Sequence, residues 1–176
     1  MLKIIPLLGL LICLSACSST PDIEYVGAPV SVVDTHKEYS TIVSASFNGA
    51  SAPGAGGEIC CARIPRYWVP GTTATIEWVK DPSPDFNPGK VPAPMSGTDE
   101  WRQWYKVHKD NYTKHSVTIP VPEYKKSAGV TLFFLPCDEV RVVIDSKERG
   151  RVLGNLVGPF NQAVQERLGF KKECKE

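Results

Sequence analysis

The 176-residue sequence has only three histidines, no run of basic residues and, beyond position 14, no long apolar stretch. Each scarcity excludes something. Without a basic run or stripe, and with charges of both signs mixed throughout, nothing points to nucleic acid as a partner. An apolar run approaching the roughly twenty residues of a spanning helix is missing, so no transmembrane helix is expected. The sequence also has no G-x-S-x-G elbow, no H-E-x-x-H and no phosphate-cradling glycine loop, so the common hydrolase, zinc-peptidase and nucleotide-binding signatures are not present. His36, His108 and His115 are scattered, and no carboxylate is singled out by its neighbours. The expectation is a protein that is not an enzyme and has no cofactor or metal.

What the N-terminus does contain is an export signal. Lys3 is followed by the apolar stretch Ile4 to Leu14 and then by Ser15 and Ala16, the charged, apolar, small-residue order of a secretory peptide. Leu14-Ser15-Ala16-Cys17 resembles the bacterial lipobox, and the polar residues Ser18-Ser19-Thr20-Pro21 after it suit a tether. This predicts a signal peptide over 1–16, lipidation of Cys17, and a lipidated tether and lead-in over 17–38. A single β-rich domain is expected over 39–176. Serine rather than aspartate after Cys17 resembles the pattern of enteric lipoproteins sorted to the outer membrane. That resemblance implies a protein anchored at its periplasmic face, in contact with the membrane through the lipid.

Removal of residues 1–16 leaves 160 residues, a usual size for one domain with its own core. Lys3 leaves with the signal, so 19 basic residues balance 19 acidic ones. Cys13 leaves as well, and with Cys17 lipidated the remaining cysteines are Cys60, Cys61, Cys137 and Cys174. Four cysteines in an oxidising compartment imply two disulfides. Three pairings exist. Joining adjacent Cys60 and Cys61 needs a strained ring and is disfavoured. The other two connect that segment to Cys137 and to Cys174, and either would staple the C-terminal tail to the body. A zinc site would need paired spacing such as C-x-x-C, which these cysteines lack.

Proline and glycine make up 29 of the 176 residues, spread along the chain, which favours a turn-rich β protein. Alternation over Tyr39 to Ala50 predicts a strand with Val43, Ala45 and Phe47 on its buried face. Ala50 to Gly57 reads as a loop, Glu58 to Ile64 as a strand, Pro65 to Gly71 as a turn, and Thr72 to Lys80 as a strand with Ala74, Ile76 and Trp78 inward. The proline-rich 81–97 segment reads as long and irregular, a kind of loop that is often functional. Trp101, Trp104, Tyr105 and His108 recur at helical spacing, predicting a helix over 98–110 capped by Thr98 or Asp99. Strands follow at His115 to Val121, Gly129 to Pro136 and Glu139 to Asp145, the last two as a hairpin. A second helix is expected over Pro159 to Leu168, with Phe160, Ala163, Val164 and Leu168 on its face. The fold class is therefore mainly β: an antiparallel sandwich or curled sheet with two short helices. Asp34 and His36 alternate on one strand face without implying a site. Arg66, Tyr67, Trp68, Trp101, Trp104 and Tyr105 are residue types that anchor interfaces. They are the candidate partner-binding residues, with core packing the competing reading for Trp101 and Trp104.

One stretch is distinctive: Gly56-Gly57-Glu58-Ile59-Cys60-Cys61-Ala62-Arg63-Ile64-Pro65, then Trp68, Pro70-Gly71 and Trp78. Together with Ile119-Pro120, Tyr124 and Val130 to Pro136, it resembles a family of small proteobacterial lipoproteins defined only as a domain of unknown function. Members are often encoded beside type VI secretion lipase effectors. The resemblance implies an immunity protein that binds a secreted phospholipase and blocks it. The alternative is an envelope structural or assembly lipoprotein that binds another envelope component.

Overall fold

A computed structural model describes residues 22–36, 41–171 and 174. Cys17 and its flanking residues lie outside the described part. The chain forms β1 (Tyr25–Asp34), β2 (Thr41–Phe47), β3 (Ala50–Ala52), β4 (Glu58–Pro65), β5 (Thr73–Asp81), β6 (Phe86–Asn87) and β7 (Val91–Pro92). There follow α1 (Asp99–Lys109), β8 (Thr113–Pro120), β9 (Val130–Leu135), β10 (Glu139–Val143), α2 (Ser146–Leu153) and α3 (Phe160–Arg167). Among the described residues no helix is long and apolar enough to cross a membrane.

Two four-stranded sheets make a mainly β sandwich. One has the order β10-β9-β1-β4 and the other β3-β2-β5-β8. Pairing is antiparallel except between β1 and β9, which run parallel. The core lies between the sheets: Val30, Val32, Leu132 and Phe134 from the first meet Phe47, Ile76 and Trp78 from the second. Trp78 and Phe134 touch ring to ring, 5.5 Å between centroids. The outer face of the first sheet is covered as well, because Phe133 and Val143 pack against Val152 of α2 and Val164 of α3. The outer face of the second sheet is uncovered and carries Ser46, Glu77, Thr75 and Thr118, joined by cross-strand hydrogen bonds.

This layering explains several departures from the sequence expectations. The lead-in over 17–38 contains the longest strand, β1, which is central in its sheet. A strand covered on both faces has no polar alternation to read. Pro29, unusual inside a strand, sits where the register shifts between Ala28 and Val30, a bulge at which no ladder donor is needed. In β2 a second register shift, between Ile42 and Ser44, puts Ile42, Ala45 and Phe47 inside and leaves Val43 exposed. Ala50–Ala52, expected as loop, pairs with β2. The proline-rich segment is not wholly irregular, because β6 and β7 form a small hairpin within it. Among the described residues there are three helices rather than two: α2 was hidden by its short, highly charged sequence. On α3, Ala163 and Val164 are buried as expected, but Phe160 points to solvent.

The disulfides correct the expected pairing. Cys137 is joined to Cys174, which staples the tail to the β9–β10 turn, while Cys60 is joined to Cys61 across a cis peptide. The reason is distance. Cys60 and Cys61 lie on edge strand β4, level with the start of β9 through the pairing of Val30 with both Ile59 and Val130. Cys137 lies past the other end of β9, about 20 Å along the strand direction. The Cys60-Cys61 segment cannot reach it.

Candidate partner-binding surface

At the end of β5 the chain leaves the sandwich and builds a lobe from residues 81–112. Its centre is His108, a side chain only 2% exposed. Its Nε2 lies 2.8 Å from Asp81 Oδ2, and its Nδ1 lies 3.0 Å from Asn87 Oδ1. Asn87 Nδ2 donates to the Trp104 carbonyl, which fixes the amide so that its oxygen faces the histidine. Both imidazole nitrogens therefore face acceptors. Asp81 Oδ1 accepts the Ser83 backbone N–H, turning the chain out of β5. Trp104 stacks on His108 at 4.2 Å and donates its indole N–H to the Val91 carbonyl. Tyr112 meets the same imidazole edge-on. Burial, aided by a hydrogen bond with Tyr105, pushes the Tyr112 hydroxyl up. One buried histidine thus connects β5, the β6–β7 hairpin and α1.

The helix is built as its sequence directs. Thr98 is the cap, its Oγ1 accepting the Trp101 N–H at 3.1 Å. Asp99 and Glu100 stand in the first turn and Lys106, His108 and Lys109 in the last, the charge order the helix dipole favours. Trp101 stacks on Tyr105 at 4.9 Å, and both are half-buried. Trp104 belongs to the packing. Among charged residues such as Lys90, Arg102 and Lys106, the lobe exposes four large apolar side chains: Phe86 (43% exposed), Val91 (51%), Met95 (80%) and Val107 (53%). Sequence reasoning missed these four because the aromatic periodicity of α1 drew attention to its inward face.

The remaining candidates are elsewhere. Arg66, Tyr67 and Trp68 lie in the β4–β5 turn, at the opposite end of β5, so the two aromatic groups do not form one patch. Tyr67 is well exposed. Trp68 packs on the core and donates its N–H to the Val121 carbonyl. Arg66 pairs with Glu24 at 2.7 Å.

A second polar cluster joins the two sheets at the lobe end of the sandwich. Asp34 Oδ1 accepts the His36 backbone N–H at 2.9 Å and faces His36 Nδ1 at 2.6 Å, while Oδ2 accepts the Ile42 N–H. The two residues that seemed merely to share a strand face therefore form a contact, because the backbone curls after Asp34 and ends the strand. His36 Nε2 lies 3.7 Å from Asp138 Oδ1, which Lys80 Nζ approaches to 2.7 Å, and His115 Nδ1 is 4.0 Å from Oδ2. For Asp34, burial opposes ionisation, but the hydrogen bonds from His36 and Ile42 outweigh it and hold the carboxyl below its usual range. For Asp138, burial is outweighed in the same way by the Lys80 hydrogen bond and charge. His36 is closed off from solvent, and its carbonyl accepts from Asn161 on α3. The cluster is a lock between the β1–β2 crossover, β5 and the β9–β10 turn. Among the described residues no group of three or more His, Cys, Asp or Glu is placed to hold a metal ion.

A search of curated proteins and of solved structures finds no match. One family model matches residues 33–142, from the end of β1 through the sandwich and the lobe to β10. The chain therefore belongs to the family described as protein of unknown function (DUF3304).

Proposed function

We propose that this protein is a lipid-anchored immunity protein at the periplasmic face of the outer membrane, which binds and neutralises a secreted phospholipase effector of a type VI system. The observation that carries the binding part of this reading is the lobe. Four large apolar side chains, Phe86, Val91, Met95 and Val107, stand in solvent on a segment pinned from within by His108. An inhibitor needs a preorganised surface, since a loop that must order on binding loses affinity to that ordering. The centre of a protein interface is more apolar than its rim, and Phe and Met are among the residue types enriched there. The resemblance of the Gly-Gly, Cys-Cys, Trp and Pro-Gly segment to effector-associated lipoproteins supplies the class of partner.

The test is co-expression of the neighbouring phospholipase, directed to the periplasm, with and without this protein. Rescue of growth is expected. Met95→Asp and Val107→Asp should each remove the rescue while the melting temperature stays within a degree or two of the parent. Equal killing with and without the protein would refute the immunity reading.

A further inference from the structure

We infer that the end of the sandwich opposite the lobe is a membrane-resting surface, which seats the domain upright on the bilayer. The inference rests on the lipid-anchor part of the reading above and on none of its statements about the effector.

The tether fixes which end is near the membrane. Glu24 is held to the sandwich, its carbonyl accepting the Arg66 N–H at 2.7 Å and its carboxylate pairing with the Arg66 guanidinium. Seven residue-to-residue steps lead from Cys17 to Glu24. Even fully extended they reach about 24 Å. From that end β5 runs nine residues, about 27 Å, before the lobe begins. An inverted pose with the lobe on the bilayer would lift Glu24 farther than the tether allows.

Side-chain chemistry then favours the base over the uncovered sheet flank. The start of β1, the end of β4, the 66–72 turn and the 121–127 segment converge here. Tyr124 donates to the Pro65 carbonyl and the Ser127 N–H donates to the Arg66 carbonyl. Exposed at this end are Ile23, Tyr25 and Tyr67, with Lys125 and Lys126 beside them. Arg63 lies over the Tyr25 ring at 4.3 Å. Tyrosines with an apolar ring and a polar tip suit the headgroup layer, and basic side chains extend their charge to lipid phosphates. Asp22, Glu24 and Glu123 share the surface, so the basic excess is small and the base orients the domain while the acyl chains hold it. The uncovered sheet flank is mostly polar, with Ser46, Glu77, Thr75 and Thr118, and Val43 as an exposed apolar side chain.

The experiment uses the full lipidated chain in vesicles of phosphatidylethanolamine and phosphatidylglycerol. Lysines are labelled with a water-soluble amine reagent, quantified by mass spectrometry and normalised to the same lysines in the unfolded chain. Labelling of Lys125 and Lys126 should fall severalfold relative to Lys90, Lys106 and Lys109 of the lobe, and Tyr67→Asp should reduce that protection. Uniform labelling, or protection of the lobe lysines instead, would overturn the orientation while leaving the lipid anchor standing. The same spectra report the acyl mass on Cys17, and an unmodified Cys17 would overturn both.

Discussion

Replacement of His108 by phenylalanine is the sharpest test of how the lobe is held. Phenylalanine keeps an aromatic ring against Trp104 and Tyr112, so little packing is lost. What it removes is both polar contacts of the imidazole, Nε2 with Asp81 Oδ2 and Nδ1 with Asn87 Oδ1, both in buried residues. A buried neutral acceptor left without a donor costs about 1–3 kcal/mol, and a buried charge left without its partner costs about 3–5 kcal/mol. The Asp81 carboxylate keeps the Ser83 N–H, which argues for the lower part of that range. The sum is about 4–6 kcal/mol, comparable with the whole stability of a small domain. If lobe and sandwich unfold together, the loss appears as a lower urea midpoint. If the lobe opens alone, it appears as faster amide exchange confined to 99–110, by about three orders of magnitude for 4 kcal/mol. Asp81→Asn in the His108→Phe background should cost less than it does alone, since the orphaned charge is then gone. A single variant with an unchanged midpoint and unchanged exchange in α1 would refute the pinning argument.

Two further outcomes follow from the sandwich. Asp34 and Asp138 have folded-state pKa values held below the 3.8 of the free carboxyl, so they bind fewer protons folded than unfolded around that pH. Their stabilisation is full above the unfolded value and is lost as pH falls through the folded values, so the urea midpoint should drop steeply below about pH 4. Asp34→Asn should lower stability at neutral pH and flatten that acid limb; parallel curves for the two proteins would contradict the assignment. The Cys137–Cys174 bond closes a sequence separation of 37 residues. Replacing both cysteines by serine should cost up to about 4 kcal/mol, read as a lower denaturant midpoint in the absence of reductant. Non-reducing peptide mapping that joined either Cys60 or Cys61 to Cys174 would contradict both the pairing and that estimate.

The fold was legible wherever one sheet face meets solvent. The strand at Thr73–Asp81 read correctly because its outer face is uncovered, so Ala74, Ile76 and Trp78 alternate with polar residues. Helix α1 was visible through its cap and its aromatic period. The signal failed where both faces are covered. β1 offers no alternation; β9, all six of whose residues are buried because α2 and α3 close the far side, was nonetheless read as a strand over Gly129 to Pro136. Bulges defeated pattern reading in another way, flipping Val43 outward without any mark in the sequence.

The sequence alone determined the β-rich class, the helix over the lobe with a cap at Thr98 or Asp99, and the strand that places Trp78 in the core, because each depends on local period or capping. Tertiary structure decided everything that depends on contacts between distant residues. It coupled His108 to Asp81 and Asn87 across 27 and 21 positions, and brought Asp34 and His36 to Asp138. It also separated Cys60-Cys61 from Cys137 by the length of a strand, and put Tyr67 and Trp101 at opposite ends of one. Such distances are set by sheet order and register, and neither is encoded in any single segment of the chain.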